Sequence, residues 1–209
     1  MELKISEIPT IYITDGSAHR EDRLLEELDK IGSRERIKIL GQSGKELGKG
    51  PAWGNAMAQQ TALDLACRLK GPVLILEDDC IMSDYFNDRI GFPDNADGVY
   101  LGNSQFGVTS YNPSDKYSYS SGSVSWEPFS EHLVKLNSMM GTHAILYVSD
   151  KFKEMAKTFC QFAIDNEEVN LDIYFATGMN FFDVYALKKP PFLQTSQYQM
   201  SSYIFADDV

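Results

Sequence analysis

The sequence predicts one α/β domain over residues 1–209, with an open, mostly parallel, twisted sheet and helices on both faces. Strand and helix patterns alternate along the first hundred residues, which is typical of βαβ units. The run Pro72–Leu76 has no polar member, as expected of a strand buried inside a parallel sheet. A chain of 209 residues, 43% of them hydrophobic, is long enough to enclose one core.

The first half of the chain carries the clearest patterns. β-Branched and aromatic runs predict strands at Thr10–Ile13 and Ile37–Leu40. Leucines at helical spacing predict a helix at Arg20–Ile31, which ends at Gly32. A second helix is predicted at Asn55–Leu69. Its expected sheet-facing stripe contains Met57, Thr61, Leu65 and Leu69, with Ala58, Ala62 and Ala66 beside them.

A loop rich in Gly and Lys, Gly41–Gly50, precedes the second helix. A phosphate-binding P-loop is excluded, because Ser43 and Gly50 stand where that motif needs a glycine and a hydroxyl. We interpret the loop as a mobile segment that can lie near a ligand.

The second half predicts three strands, two helices and one irregular segment. The strands are Gly98–Gly102, His143–Val148 and Phe182–Leu187; the helices are Asp150–Ile164, capped by Ser149 or Asp150, and Leu171–Thr177. Residues 103–130 are rich in Ser, Tyr and Gly without a regular period, so we expect an irregular insert. It could serve as a lid or acceptor-binding loop, or be a surface excursion or irregular hairpin.

Composition limits the location and the partners. No apolar run is long enough to cross a bilayer, and the N-terminal residues lack a signal-peptide pattern. Three widely spaced cysteines, Cys67, Cys80 and Cys160, read as reduced thiols, so we expect a cytoplasmic protein. The net charge of −11 argues against nonspecific nucleic-acid binding, which needs a basic surface, although a local basic patch stays open.

The most informative feature is three adjacent carboxylates, Glu77, Asp78 and Asp79, at the end of the apolar run. Strand alternation would turn Glu77 and Asp79 to one side and Asp78 to the other. Such carboxylates repel one another unless a cation or water neutralises them, and a hard divalent ion suits a strand end where α/β sheets bind ligands. A solvated strand end followed by a turn is the alternative.

An ordered set of motifs resembles glycosyltransferase family 25, the lipopolysaccharide and collagen β-galactosyltransferases. The matching segments span nearly the whole chain: His19–Arg23, Gly54–Gln60, Leu76–Asp79, Tyr100–Gly102, Gly141–Ala144, Leu171–Asp172, Tyr185–Ala186, Pro190–Pro191, Gln194 and Ser201–Ser202. Two features depart from the family pattern. Ala58-Gln59 stands where a Ser-His pair is usual, and the Ser/Tyr-rich segment matches nothing in the family.

The resemblance implies a GT-A fold that transfers a hexose, such as galactose or glucose, from a UDP-sugar with the help of Mn²⁺ or Mg²⁺. Glu77 and Asp79 would bind the metal. The donor-binding residues would be Arg23, Asp78, Gly141 and Thr142. For Arg20 we favour a solvated charge, and for His143 a structural role. The acceptor would be a glycan, a protein or a small molecule; a nucleic acid is the least expected.

An inverting transfer also needs a base for the acceptor hydroxyl. Asp172 occupies the family's Leu-Asp position at a helix start, where the helix N-terminus should lower its pKa. An ordinary capping aspartate is the alternative, and Asp183 and Glu168 are the next candidates for the base.

Two other function classes fit the same carboxylates. One is a metal-dependent phosphoryl-transfer enzyme or hydrolase, although neither an Asp-x-Asp-x-Thr motif nor a Walker loop is present. The other is a nucleotide-sugar-binding module that has lost turnover.

Overall fold

The computed structural model describes residues 1–42, 44–111, 119–167 and 169–195. The described residues form four α-helices: α1 Ala18–Ile31, α2 Pro51–Ala66, α3 Asp150–Asp165 and α4 Leu171–Gly178. They also form fourteen strands: β1 Glu2–Lys4, β2 Thr10–Thr14, β3 Arg36–Leu40, β4 Val73–Glu77, β5 Cys80–Met82, β6 Arg89–Gly91, β7 Gly98–Tyr100, β8 Phe106–Tyr111, β9 Tyr119–Ser123, β10 Ser125–Pro128, β11 Leu133–Ser138, β12 Ala144–Tyr147, β13 Val184–Leu187 and β14 Phe192–Gln194.

An eight-stranded sheet in the order β10-β11-β13-β7-β12-β4-β2-β3 organises the molecule. The predicted α/β class is confirmed, and the sheet is mixed. The pairs β2–β3, β2–β4 and β7–β13 are parallel, while β12 runs antiparallel to both of its neighbours. In the described residues β12 is reached from β7 through strands rather than a helix, and strands joined without a helical crossover are usually antiparallel.

The chain reverses its direction of winding beside β2. From β2 it passes through α1 to β3 on one side, and then through α2 to β4 on the other side of β2. Leu24 and Leu28 of α1 pack in the core on one face of the sheet, whereas the cores of α2, α3 and α4 lie on the opposite face. Helices therefore cover both faces, as predicted. The point between β2 and β4 is a topological switch point, where open α/β sheets bind ligands.

The predicted stripe of α2 is confirmed only in part: Ala58, Ala62 and Ala66 are buried, and Leu65 and Leu69 pack against the core. Thr61 is exposed and Met57 only partly buried. The buried side instead consists mostly of small residues together with one amide: Gly54, Ala56, Ala58, Gln59, Ala62, Leu63 and Ala66. These small side chains allow α2 to lie close to the sheet and to α3, and a large apolar stripe would not fit there.

The segment 103–130 is more regular than its sequence suggests. Its described part contains β8, β9 and β10, and β8 pairs antiparallel to β9 with a register shift between Val108 and Ser110, so it includes an irregular hairpin, one of the alternatives that the sequence left open. A Cβ on Gly107 would lie 2.8 Å from the Ser138 carbonyl oxygen, and one on Gly122 would lie 2.5 Å from Thr109 Cγ2. Close backbone contacts thus require glycines that weaken the sequence signal for strands. Residues 112–118 lie outside the described ranges.

Within the part of the chain that the structure describes, no helix is long and apolar enough to cross a membrane.

Candidate active site

A cavity of about 640 Å³ opens at the switch point, at the carboxyl ends of β2, β3 and β4. We call it the switch-point cavity. Thr14 and Asp15 follow β2, Gly41 and Gln42 follow β3, and Glu77 and Asp78 end β4. The remaining lining comes from α1, the Gly/Lys loop and α2: Arg20, Gly44, Lys45, Lys49, Pro51, Gly54, Asn55 and Ala58, with Ile13 of β2. The carboxyl ends of three parallel strands thus meet at one pocket, and the segments at the ends of β2 and β4 bring carboxylates to it.

Arg20 is the cation closest to the carboxylates. Its Nη2 lies 2.5 Å from Asp78 Oδ1 and 3.9 Å from Asp79 Oδ2, and its Nη1 donates to Asp15 Oδ2 at 3.1 Å. The interpretation of Arg20 as a solvated charge is therefore wrong. Arg23, in contrast, donates to Thr195 Oγ1 at 2.6 Å and does not line the cavity.

The Gly/Lys loop forms one wall of the cavity. Lys45 and Lys49 line the cavity, and Lys49 also pairs with Glu167. Gly54 of α2 allows this loop to approach the helix, because a Cβ on Gly54 would lie only 2.6 Å from the Gln42 carbonyl oxygen. Steric contact with the loop therefore explains why a glycine stands at position 54, the first residue of the family-like segment Gly54–Gln60.

The residues Glu77, Asp78 and Asp79, here called the acidic turn, have separate partners. The strand ends at Glu77, and Asp78 and Asp79 form a turn, so strand alternation does not apply to them. Asp78 Oδ2 accepts from the Asp15 amide at 3.0 Å, while Asp79 Oδ2 accepts from Gln194 Nε2 at 2.9 Å. Burial raises the pKa of both aspartates, and Arg20 opposes that shift.

Glu77 belongs to a second, largely buried group with Thr142 and Asp172. Glu77 Oε1 accepts from Thr142 Oγ1 at 2.7 Å and from Gln59 Nε2 at 2.9 Å. Thr142 Oγ1 also lies 3.3 Å from Asp172 Oδ1. The structure thus links Glu77, which lines the cavity, to Asp172 through a single hydroxyl group. We call Glu77 and Asp172, which share the Thr142 hydroxyl group, the carboxylate pair.

Burial dominates the protonation of this pair. It raises the pKa of Glu77 to about 7, with a further contribution from the charge of Asp79, while Thr142 and Gln59 oppose the shift. Burial also raises the pKa of Asp172 to about 6. The expectation that the α4 N-terminus lowers the pKa of Asp172 is therefore wrong, because desolvation outweighs the helix dipole. Both carboxyl groups can exchange protons near neutral pH.

The segment before β12 supplies Thr142 and is shaped by glycine. Gly141 has φ +128°, a conformation that other residues rarely adopt. His143 is buried, and burial lowers its pKa to about 4, so it is neutral. A Cβ on Gly102 would lie 2.2 Å from His143 Nε2, so the imidazole fills the space beside Gly102. These contacts agree with a structural role for His143.

The alternative bases are placed differently. Asp183 pairs with Lys135 at 2.7 Å and accepts from Asn95, and both partners lower its pKa. It does not line the switch-point cavity. Glu168 lies outside the described residues. Asp172 is thus the candidate that contacts the rest of the site.

A divalent ion at the acidic turn would need several oxygen ligands. Among the described residues, no three His, Cys, Asp or Glu side chains form such a group. Asp79 Oδ1, however, is buried and has no hydrogen-bond partner among the described residues. The negative charge of Asp79 also contributes to the raised pKa of Glu77. This donor set of hard oxygens fits Mg²⁺ or Mn²⁺ if a bound diphosphate and water complete the coordination.

Sequence reasoning missed Asp15 and Gln59 as site residues. Gln59 carried a weak signal, since it stands among alanines on the buried side of α2, and a buried amide needs partners. No sequence pattern pointed to Asp15, because its backbone amide donates to Asp78, which is distant in sequence.

Comparison with known proteins adds little to this geometry. No known protein family's model matches the chain, and no curated protein is significantly similar to it. The solved structure of A197 from STIV has a TM-score of 0.43 and 15% identity, covering 87% of this chain and 83% of that one. The nucleoside-diphosphate-sugar pyrophosphorylase from Vibrio cholerae RC9 has a TM-score of 0.41 and 10% identity, covering 85% and 71%. Similarities this weak identify neither a family nor an activity.

Proposed function

We propose that this protein is a glycosyltransferase that moves a hexose from a UDP-sugar to an acceptor hydroxyl with inversion. One observation carries the proposal. The switch-point cavity combines cations from Arg20, Lys45 and Lys49 with carboxylates, and it touches a carboxylate pair whose pKa values lie near neutrality. The family resemblance of the sequence points to the same reaction.

The cavity has the size and the charges that a nucleoside diphosphate requires. Its volume of about 640 Å³ is within the usual range for small-molecule sites. Guanidinium and ammonium groups pair well with phosphate oxygens, so Arg20, Lys45 and Lys49 suit the diphosphate. Asp78 is held in place by Arg20 and by the Asp15 amide, and it can accept hydrogen bonds from sugar hydroxyls. Gly141 and Thr142, which belong to the family-like segment Gly141–Ala144, would then shape the donor side next to Glu77.

A divalent ion, Mn²⁺ or Mg²⁺, is part of the proposal. Asp79 and Glu77 would hold it, and when bound it would neutralise the developing charge of the diphosphate leaving group. Arg20, which already contacts Asp78 and lies near Asp79, would support that charge from the protein side.

Asp172 is the proposed base for the acceptor hydroxyl. Thr142 has one hydroxyl proton, and its shorter contact is the one to Glu77. When that proton points to Glu77, the 3.3 Å contact between Thr142 and Asp172 needs a proton on Asp172. Taking the acceptor proton would therefore complete the hydrogen bonding of the pair. A pKa of about 6 suits a base that works near neutral pH.

Incubation with a panel of nucleotide sugars and Mn²⁺ tests the proposal. We expect slow release of free sugar and UDP from one UDP-sugar, and faster UDP release when an acceptor is present. A phosphoryl-transfer enzyme or hydrolase would instead release inorganic phosphate or a sugar phosphate. Donor binding without any turnover would identify a binding module, and no binding of any nucleotide sugar would contradict the proposal.

A further inference from the structure

A second cavity, of about 430 Å³, has a basic lining although the whole chain carries a net charge of −11. We call it the basic cavity. Its charged and aromatic lining residues are Tyr85, Arg89, Glu131, His132, Lys188 and Lys189. Glu131 is the only acidic residue among the described residues that line it, so three permanent cations face one carboxylate. Such a concentration of positive charge is unexpected on an acidic surface.

The cations of this cavity are held at its edge. Lys189 is exposed, and its Nζ lies 5.2 Å from the centroid of the Tyr85 ring. Arg89 pairs with Glu2 at 2.6 Å on the surface, where both side chains are about 60% exposed. An exposed ion pair contributes little stability, so Arg89 can be shared with an anionic ligand at small cost.

Two short strands connect the basic cavity to the acidic turn. β5 begins beside Asp79, β14 ends at Gln194, and the two strands pair from Cys80–Gln194 to Met82–Phe192. Pro191, which lines the basic cavity, precedes β14, and Gln194 binds Asp79. Three residues of extended chain span about 10 Å. A ligand of the size of a sugar phosphate could therefore reach from one place to the other.

The orientation of the sheet agrees with this connection. Lys188 and Lys189 follow the carboxyl end of β13, which runs parallel to β7. β7 and β4 are both antiparallel to β12, so β13 and β4 point in the same direction. The basic cavity and the acidic turn thus lie at the same end of the sheet.

From these observations we infer that the basic cavity binds a phosphate monoester on the sugar acceptor. A phosphate monoester carries nearly two negative charges at neutral pH, and Lys188, Lys189 and an Arg89 released from Glu2 would together exceed the charge of Glu131 by two. The identification of the ligand as the sugar acceptor rests on the proposed function. The anion site itself does not depend on it.

Calorimetric titration of the full chain with glucose 6-phosphate tests the inference, and glucose, which lacks the phosphate group, is the control ligand. Lys189→Gln removes one cation from the cavity, and Lys30→Gln is the control, since Lys30 is an exposed α1 lysine that pairs with Glu27. We expect glucose 6-phosphate to bind the wild type and Lys30→Gln equally and Lys189→Gln about tenfold more weakly. Glucose should bind none of them measurably, and UDP should bind all three alike.

Equal affinity of Lys189→Gln and wild type for glucose 6-phosphate would overturn the inference, as would no binding at all. Sedimentation with phosphatidic acid vesicles separates a lipid headgroup from a soluble phosphate, and binding to vesicles without binding to glucose 6-phosphate also overturns it. If the wild type binds glucose 6-phosphate but not UDP, the proposed function fails and the anion site stands.

Discussion

Burial controls the charge of the carboxylate pair more strongly than any single neighbour does. Glu77 and Asp172 both have raised pKa values, although the contact of each with the Thr142 hydroxyl group opposes the shift. Water would stabilise these charges better than the protein does, so the protein loses stability by holding them ionised. Such a cost is typical of groups placed for chemistry.

Replacement of Asp172 tests its role as the base. Asp172→Asn keeps the shape of the side chain but cannot take a proton, so we expect the transfer rate to fall by at least about a hundredfold. The affinity for UDP should stay near the wild-type value, because Asp172 does not line the switch-point cavity. Transfer at the wild-type rate by a folded variant that binds donor would place the base elsewhere.

Replacement of Glu77 tests the effect of burial on stability. The folded pKa of about 7 exceeds the usual value of 4.5, so the stability linked to this group is complete below about pH 4.5 and is lost as the pH rises to about 7. Glu77→Gln stays neutral and avoids that loss. Relative to the wild type, in the presence of chelator, the variant should therefore gain on the order of 1–3 kcal/mol between about pH 5 and pH 8.

Denaturant unfolding at several pH values measures this gain. Asp183→Asn is the control, because the pKa of Asp183 is lowered by Lys135 and this carboxyl group stays ionised throughout the range. Its difference from the wild type should be constant with pH. A constant difference for Glu77→Gln as well would show that burial does not disfavour the charge of Glu77.

At the scale of the elements, α2 and the Gly/Lys loop form the wall of the switch-point cavity together. The contact depends on Gly54, above which the Gln42 carbonyl oxygen leaves no space for a Cβ. The loop in turn carries Lys45 and Lys49 into the cavity. A change in this contact should alter the cavity without any change of its charges.

Gly54→Ala tests this contact. The added methyl group would meet a backbone oxygen at 2.6 Å, so the loop must move, and we expect UDP to bind about tenfold or more weakly. Gly50→Ala is the matched control at the start of the same helix, since a Cβ there meets nothing within 4 Å. Calorimetry of both variants measures the effect. Equal affinities would mean that the loop position does not matter for the nucleotide.

Sequence patterns predicted the long elements because each one has a local signal. β2, β3 and β4 follow β-branched runs, and α1 and α3 have apolar residues at helical spacing and an evident end. The three-residue strands β5 and β14 were missed because they are too short to show a period. Their pairing is fixed by tertiary contacts, such as the bond from Gln194 to Asp79.

The candidate site was predicted only in part, for a similar reason. Chemistry alone singled out Glu77, Asp78 and Asp79, and the family resemblance pointed to Asp172 and Thr142. The sequence could not show that Arg20 and Arg23 have different partners, because both lie on α1 and their partners come from distant segments. Which arginine reaches the carboxylates depends on the packing of the helix against the sheet.

At the scale of the whole molecule, the described contacts place at one end of the sheet the three features to which we assign roles. The switch-point cavity holds the charges suited to a diphosphate, the carboxylate pair can accept a proton, and the basic cavity lies across β5 and β14 from the acidic turn. Their common location follows from the parallel direction of β2, β4, β7 and β13, which brings their carboxyl ends together.

Removal of divalent ions tests the metal part of the account. Because the described carboxylates do not form a complete ligand group, we expect Mn²⁺ to bind weakly alone and far more tightly in the presence of UDP. Excess chelator should abolish sugar transfer, and added Mn²⁺ should restore it. Full activity in chelator would remove the metal from the mechanism, and tight binding of Mn²⁺ without UDP would show that the protein alone supplies the ligands.

A crystal structure of the protein with UDP and Mn²⁺ tests whether the switch-point cavity is the nucleotide-sugar site. We expect the diphosphate to lie against Arg20 and the Gly/Lys loop, beside Glu77 and Asp78. UDP bound at any other place in the crystal, with the switch-point cavity empty, would contradict this expectation.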